Sequence, residues 1–106
     1  MSINSTLIYD LIFSILIMSP FKVSIEITAI LEEGNCPLGH EIGETFLYPE
    51  DRGKICAAAF NSIYPYIRVL ESGGSYPYFE EDGNTHKACC PDYKRPVVFK
   101  MTRKEI

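Results

Sequence analysis

A chain of 106 residues with 46% hydrophobic and 23% charged side chains can form one domain around one core, and this composition excludes a disordered protein. The formal net charge of −4 and the scattered Lys and Arg residues lack the basic face typical of nucleic-acid binders, so we expect no nucleic-acid partner. The four cysteines indicate disulfides in an oxidising compartment, or reduced thiols for metal binding, catalysis or packing in the cytoplasm.

The N-terminal segment is apolar but fits neither an export signal nor a membrane span. No Lys or Arg precedes Lys22, and the apolar run Leu11–Met18 is far shorter than the roughly 20 residues of a spanning helix. We predict that residues 1–20 form an extension outside a single domain at 21–106, or a helix that docks on the domain or on a membrane surface. Met18 is an alternative start. We expect a cytoplasmic location and reduced cysteines.

The first two predicted elements are strands. Lys22–Ile30 alternates apolar and polar residues, which predicts a strand with one buried face that carries Val23, Ile25, Ile27 and Ala29. Glu44–Tyr48 is short and rich in residues that favour strands, and Pro49 ends it. The turn-rich stretch between these strands includes the motif C-P-x-G-H.

A helix is predicted over Ile55–Glu71, ending at Gly73-Gly74. Its apolar residues recur at spacings of three and four and share one face: Cys56, Phe60, Ile63, Ile67 and Leu70. Pro65 lies nearly opposite that face and is expected to kink the helix or break it into two pieces.

Two further strands follow, at Thr85–Cys90 and Val97–Arg103. The order β-β-α-β-β predicts an α+β fold, with a small, mainly antiparallel four-stranded sheet and one Pro-kinked helix packed on a face. We expect the other face of the sheet to be exposed or covered by the N-terminal extension.

Cys56 is the leading candidate for chemistry because it falls at the start of the predicted helix. The positive end of the helix dipole stabilises a thiolate, and we expect Cys56 to be the most reactive thiol. Cys56 with His40 as its base would make a small enzyme with a nucleophilic cysteine. The alternative is that Cys56, which also lies on the apolar face of the helix, is a packed core residue.

A metal site is the second hypothesis. Cys36 and His40, in the C-P-x-G-H motif, have a spacing that can hold zinc or iron, and Cys56 and Cys90 can complete a set of four ligands. The alternative is a turn in which His40 bonds the backbone and Cys36 packs. Alternation along the strand places Cys90 on the same side as Ala88, facing the helix, and Cys89 on the opposite side.

Aromatic residues are concentrated near the end of the helix. Tyr64, Tyr66, Tyr76 and Tyr78 predict either packing over the helix end or a surface for a small molecule or protein partner, whose identity the sequence does not give. His86 lies in a polar stretch, where we expect a solvated side chain rather than a ligand.

Several short motifs together resemble those of a family of small, uncharacterised prokaryotic proteins. The resemblance covers Lys22–Arg103 and rests on C-P-x-G-H at Cys36–His40, Cys56-Ala57, Gly73-Gly74-x-Tyr76-Pro77-Tyr78, Cys90-Pro91-Asp92 and Arg95-Pro96-Val97-Val98-Phe99. Many members have Trp where this chain has Tyr78. The resemblance implies a cytoplasmic protein in which Cys36, Cys56 and Cys90 are the motif cysteines, and it implies no reaction.

Three functional hypotheses follow. The first is a thiol-redox or metal-binding protein that uses Cys36, His40, Cys56 and Cys90. The second is the small enzyme with Cys56 as nucleophile. The third is a binding or structural module in which the cysteines only pack.

Overall fold

The computed structural model describes residues 21–32 and 34–105. These residues form a four-stranded antiparallel sheet with one helix packed on it, which confirms the predicted α+β class and element order. Residues 1–20, predicted to be an extension, lie outside the described residues. The elements are β1 (Phe21–Ile30), β2 (Thr45–Tyr48), a 3-10 turn (Arg52–Lys54), α1 (Ala57–Glu71), β3 (Thr85–Cys89) and β4 (Val97–Glu105).

The sheet has the strand order β2-β1-β4-β3, so β1 and β4 form its centre. Ile25 of β1 lies opposite Phe46 of β2 and Met101 of β4, and Ile27 lies opposite Phe99 of β4. Residues facing each other across adjacent strands project to the same side, and this register brings the apolar side chains of three strands together. The register shifts between Ile27 and Ala29, where β1 contains a bulge.

The core lies between this apolar face and α1. The buried helix residues are Ala59, Ile63, Ile67 and Leu70. The last three confirm the predicted stripe, Ala59 was not predicted, and the predicted Cys56 and Phe60 are half-buried. Burial of one such aliphatic side chain stabilises the fold by roughly 1.5–3 kcal/mol. The opposite face of the sheet carries polar residues at its centre, including Ser24, Glu26 and Lys100.

The helix continues through Pro65, so the expected break into two pieces does not occur. Proline at this position removes the hydrogen bond to the carbonyl of Asn61. Both residues are exposed, so water can hydrate that carbonyl. Within the described residues, no helix has the length and apolarity needed to cross a membrane.

Arg103 of β4 joins the end of the helix to two loops. Its guanidinium donates to the carbonyl oxygens of Leu70, Gly74 and Gly83 at 2.8–3.1 Å and to the side-chain oxygen of Asn84 at 3.0 Å. The positive charge lies at the C-terminal end of α1, where the helix dipole favours a cation. Arg103 therefore fixes the loop that leads from α1 into β3.

Candidate functional site

Three of the four cysteines meet at one end of the sheet. Cys36 lies in the loop between β1 and β2, Cys56 is the residue immediately before α1, and Cys90 follows β3. They line one open groove of about 270 Å³, whose other walls are Pro37, Leu38, Ala58, Pro91, Asp92 and Val97. All three side chains are half-buried, and their thiols are free. Segments distant in sequence thus place three thiols in one largely apolar groove.

A small enclosed cavity of about 20 Å³ lies beside the same thiols. The predicted set of Cys36, His40, Cys56 and Cys90 lines it together with the apolar residues Ala59, Val97 and Phe99. A cavity of this size has room for about one water-sized group. The four residues singled out from the sequence are therefore neighbours.

Cys89 does not belong to this group. Its side chain is exposed, whereas Cys90 packs against the core, as the alternation along the strand predicts. Partial desolvation raises the pKa of the Cys89 thiol, and the adjacent Cys90 adds to this effect. Cys89 provides a matched control for the three clustered cysteines.

His40 is buried, and each of its ring nitrogens has a partner. Nε2 accepts a hydrogen bond from the backbone N–H of Cys56 at 3.0 Å, and Nδ1 lies 3.1 Å from a carboxylate oxygen of Glu44. An acceptor at Nε2 assigns the proton to Nδ1, which donates to Glu44. The ring packs edge-on against Phe46 and Phe99.

The bonding of His40 bears on its predicted roles. A base or metal ligand would use the lone pair of Nε2, but this lone pair accepts the backbone N–H of Cys56. This is the predicted alternative in which His40 bonds the backbone. Glu44 also accepts the backbone N–H of Glu41 at 2.7 Å. This backbone bond, opposed by desolvation and assisted by His40, holds the pKa of Glu44 below its ordinary value. In this structure His40 ties the loop to the start of the helix.

Cys56 was predicted to lie in the first turn of the helix, but it is the N-cap residue of α1, one position before the first helical residue, Ala57. Its carbonyl accepts the N–H of Phe60 at 2.8 Å, while its side chain makes no capping hydrogen bond to the described helix. The first N–H groups of a helix lack partners within the helix, and Cys56 directly precedes them in the chain.

Cys90 has a feature that sequence reasoning missed. Its N–H donates to the carbonyl of Val97 at 3.0 Å, and the N–H of Val97 donates to the Cys90 sulfur at 3.3 Å. Neither the residue types of Cys90 and Val97 nor their spacing in the sequence predicts this hydrogen bond. Asp92, two residues after Cys90, accepts the N–H of Lys94 at 3.0 Å and lies 3.5 Å from Nε of Arg95.

The predicted aromatic patch divides into two clusters. Tyr64 packs with Phe60 and Tyr48, at ring-centre distances of 5.1 and 6.2 Å. The second cluster contains Tyr66, Tyr76, Tyr78, Phe79 and His86.

His86 is a half-buried member of this second cluster. It stacks on Phe79 at 4.6 Å and lies 4.5 Å from Tyr66, measured between ring centres. Desolvation among these rings lowers the pKa of His86, with a smaller opposing effect from Glu80. The expectation of a solvated histidine is met only in part, because the polar neighbours in sequence do not show that aromatic rings pack on one side of His86.

No family model, curated protein or solved structure matched this chain. The resemblance to the small prokaryotic family therefore stays a prediction from the motifs.

The described residues contain no group of three or more His, Cys, Asp or Glu side chains arranged to hold a metal ion. Zinc or iron at Cys36, His40, Cys56 and Cys90 therefore stays a prediction, to be decided by metal analysis.

Proposed function

We propose that this protein is a thiol–disulfide redox protein in which two of Cys36, Cys56 and Cys90 alternate between free thiols and an internal disulfide. The observation that carries the proposal is the shared groove: three cysteines from three separate segments line it, all half-buried and all free. The same three residues also line the enclosed cavity beside it. A reducing cytoplasm, the compartment predicted from the sequence, would keep these thiols available.

The reaction is an exchange with a substrate disulfide. A protein thiolate attacks one sulfur of the substrate, forming a mixed disulfide and releasing one substrate thiolate. A second protein thiolate then attacks the protein sulfur of that mixed disulfide, forming the internal disulfide and releasing the second substrate thiolate. The two protons lost by the protein thiols end on the two released thiolates. The protein is oxidised by two electrons, and the substrate is reduced by two.

The surroundings of the cysteines favour this chemistry over the two alternatives. A nucleophilic Cys56 with His40 as base needs a free imidazole nitrogen directed at the sulfur, whereas Nε2 of His40 accepts the Cys56 backbone N–H. Cysteines that only pack are usually buried fully, whereas these three border an open groove. Reagents can therefore reach the thiols through the groove.

The test is a count of thiols after oxidation. Reduced protein is equilibrated with an excess of oxidised glutathione, which is reduced to two glutathione thiols as the internal disulfide forms, the remaining thiols are alkylated, and the intact mass is measured. We expect a monomer that has lost two alkylation sites, with Cys89 still alkylated.

Single replacements of cysteine complete the experiment. Cys89→Ser should leave formation of the internal disulfide unchanged, and replacement of each clustered cysteine by serine should identify the two partners. If all four thiols stay alkylated, or if Cys89→Ser alone prevents the oxidation, the proposal is wrong.

A further inference from the structure

The pairing of the two chain segments continues irregularly one residue beyond the last β3–β4 pair, Cys89 with Val98. In an antiparallel ladder, a hydrogen-bonded pair of facing residues exchanges two N–H···O=C bonds. Cys90 and Val97 make the first of these, from the N–H of Cys90 to the carbonyl of Val97. The return bond, from the N–H of Val97, goes to the sulfur of Cys90 instead of to a carbonyl. The sulfur thus takes the place of a backbone acceptor in the sheet.

This bond distinguishes the Cys90 sulfur chemically. A hydrogen bond becomes stronger when its acceptor is ionised, so a fixed N–H donor favours the thiolate over the thiol. The donor belongs to the first residue of a central strand, where Val97 is buried and its backbone is held by pairing with Ile30 of β1. The donor is therefore in place before any reaction.

The negative charge of Asp92 opposes a thiolate at Cys90, but its effect is reduced locally. The carboxylate accepts the N–H of Lys94 at 3.0 Å and lies 3.5 Å from the guanidinium of Arg95. The N–H dipole of Lys94 and the positive charge of Arg95 both partly offset the negative charge of Asp92.

The other two clustered thiols have no comparable bond within the described residues. The side chain of Cys56 makes no capping hydrogen bond, and the N–H of Cys56 is committed to His40. Cys36 contributes its carbonyl to the N–H of Gly39 in a turn. The Cys90 sulfur alone among these three receives a backbone hydrogen bond in the described chain.

We propose that Cys90 is the attacking thiol of the exchange and that Cys36 or Cys56 is the resolving thiol. This inference rests on the proposed redox function. The Cys90 thiolate attacks a sulfur of the substrate disulfide, and the substrate's other sulfur leaves as a thiolate. The resolving thiolate then attacks the Cys90 sulfur, which displaces the remaining substrate thiolate and closes the internal disulfide.

The first test measures alkylation of each thiol in reduced, full-length protein by iodoacetamide, with site-resolved mass spectrometry. Cys89→Ser serves as the background, so that labelling of this pair of adjacent positions reports Cys90 alone. We expect Cys90 to react about tenfold faster than Cys36 and Cys56, the size expected for one charge-assisted hydrogen bond. Faster labelling of Cys56 or Cys36 would overturn the assignment.

The second test removes the donor. Val97→Pro lacks the N–H, whereas Val97→Ala keeps it while also shortening the side chain. In folded protein, Val97→Pro should slow labelling of Cys90 about tenfold relative to Val97→Ala. Equal rates in the two variants would overturn the role of the hydrogen bond.

A third measurement does not depend on whether Val97→Pro folds. The probe is an aromatic disulfide, 5,5′-dithiobis(2-nitrobenzoate), mixed with the full chain in the Cys89→Ser background. Cys90→Ser should slow release of the first thiolate about tenfold, whereas the double variant Cys36→Ser/Cys56→Ser should keep the rate and accumulate a mixed disulfide on Cys90. An unchanged rate in Cys90→Ser would refute the assignment. The rate of the first attack tests the role of Cys90, whereas formation of the internal disulfide tests the proposed function. Failure to form an internal disulfide would therefore refute the proposed function and not the assignment of Cys90.

Discussion

Replacement of His40 by phenylalanine separates its hydrogen bonds from its packing. The phenyl ring has a similar size and can keep the edge-on contacts with Phe46 and Phe99. It removes the acceptor for the Cys56 N–H and the donor to Glu44. The change therefore tests whether His40 serves mainly to connect the loop to the start of α1.

The expected cost follows from the two lost bonds. A partly buried Cys56 N–H without a partner costs about 1–3 kcal/mol. Glu44 keeps the N–H of Glu41 and is partly exposed, so loss of its contact with His40 costs about 0–1 kcal/mol. We expect the free energy of unfolding to fall by about 1–4 kcal/mol, and each kcal/mol lowers the melting temperature of a domain of this size by roughly 4–8 °C.

Urea unfolding followed by circular dichroism measures this change, with an unchanged m-value as evidence that the unfolding transition is comparable. Glu44→Gln is the matched control: it keeps an oxygen for the Nδ1–H and should cost less than about 1 kcal/mol. If His40→Phe is as stable as the wild type, the bond to Cys56 does not anchor the helix. If it keeps its stability but exchanges thiols much more slowly, His40 acts as a base.

Three further predictions concern other parts of the chain. Arg103→Ala should lower the free energy of unfolding by about 3–5 kcal/mol because it leaves four acceptors without their donor, and Arg103→Lys should recover less than half, as measured by urea unfolding. The backbone N–H of Leu47, with help from Lys54, lowers the pKa of Asp51 in the folded state. The Asp51 carboxylate therefore stabilises the fold above its ordinary pKa of about 4, and this stabilisation is lost as the pH falls through the lowered pKa of the folded state. Asp51→Asn should make the free energy of unfolding less dependent on pH in acid. An unchanged pH dependence would contradict this. Protein purified anaerobically should carry less than one transition metal ion per chain, and elemental analysis giving one zinc or iron, lost in Cys36→Ser or Cys90→Ser, would favour the metal hypothesis.

Local periodicity was sufficient to predict the secondary structure because each element buries one face. The alternation in β1 and the spacing of three and four in α1 correspond to the residues that meet in the core. Five boundaries differ from prediction, three of them by one residue and two by two residues. The helix begins at Ala57 and not at Ile55, and β4 continues to Glu105 because β1 provides a partner as far as Phe21.

The sequence predicted which residues line the site but not which hydrogen bonds they make. Turn chemistry, helix position and strand alternation selected Cys36, Cys56 and Cys90, and the fold brings them to one groove. The partner of His40 lies 16 residues away along the chain, and the donor to the Cys90 sulfur lies seven residues away across a loop. Such contacts depend on how the elements pack against each other, and the periodicity within one element gives no information about that packing.

The central claim is that the shared groove of Cys36, Cys56 and Cys90 supports an internal disulfide. The most direct measurement is peptide mapping of the oxidised Cys89→Ser protein by mass spectrometry without reduction, with the monomer isolated first. We predict one cross-linked pair of peptides, both members drawn from the three clustered cysteines, that disappears on reduction. An oxidised monomer with three unlinked cysteines, or disulfides formed exclusively between chains, would contradict the account.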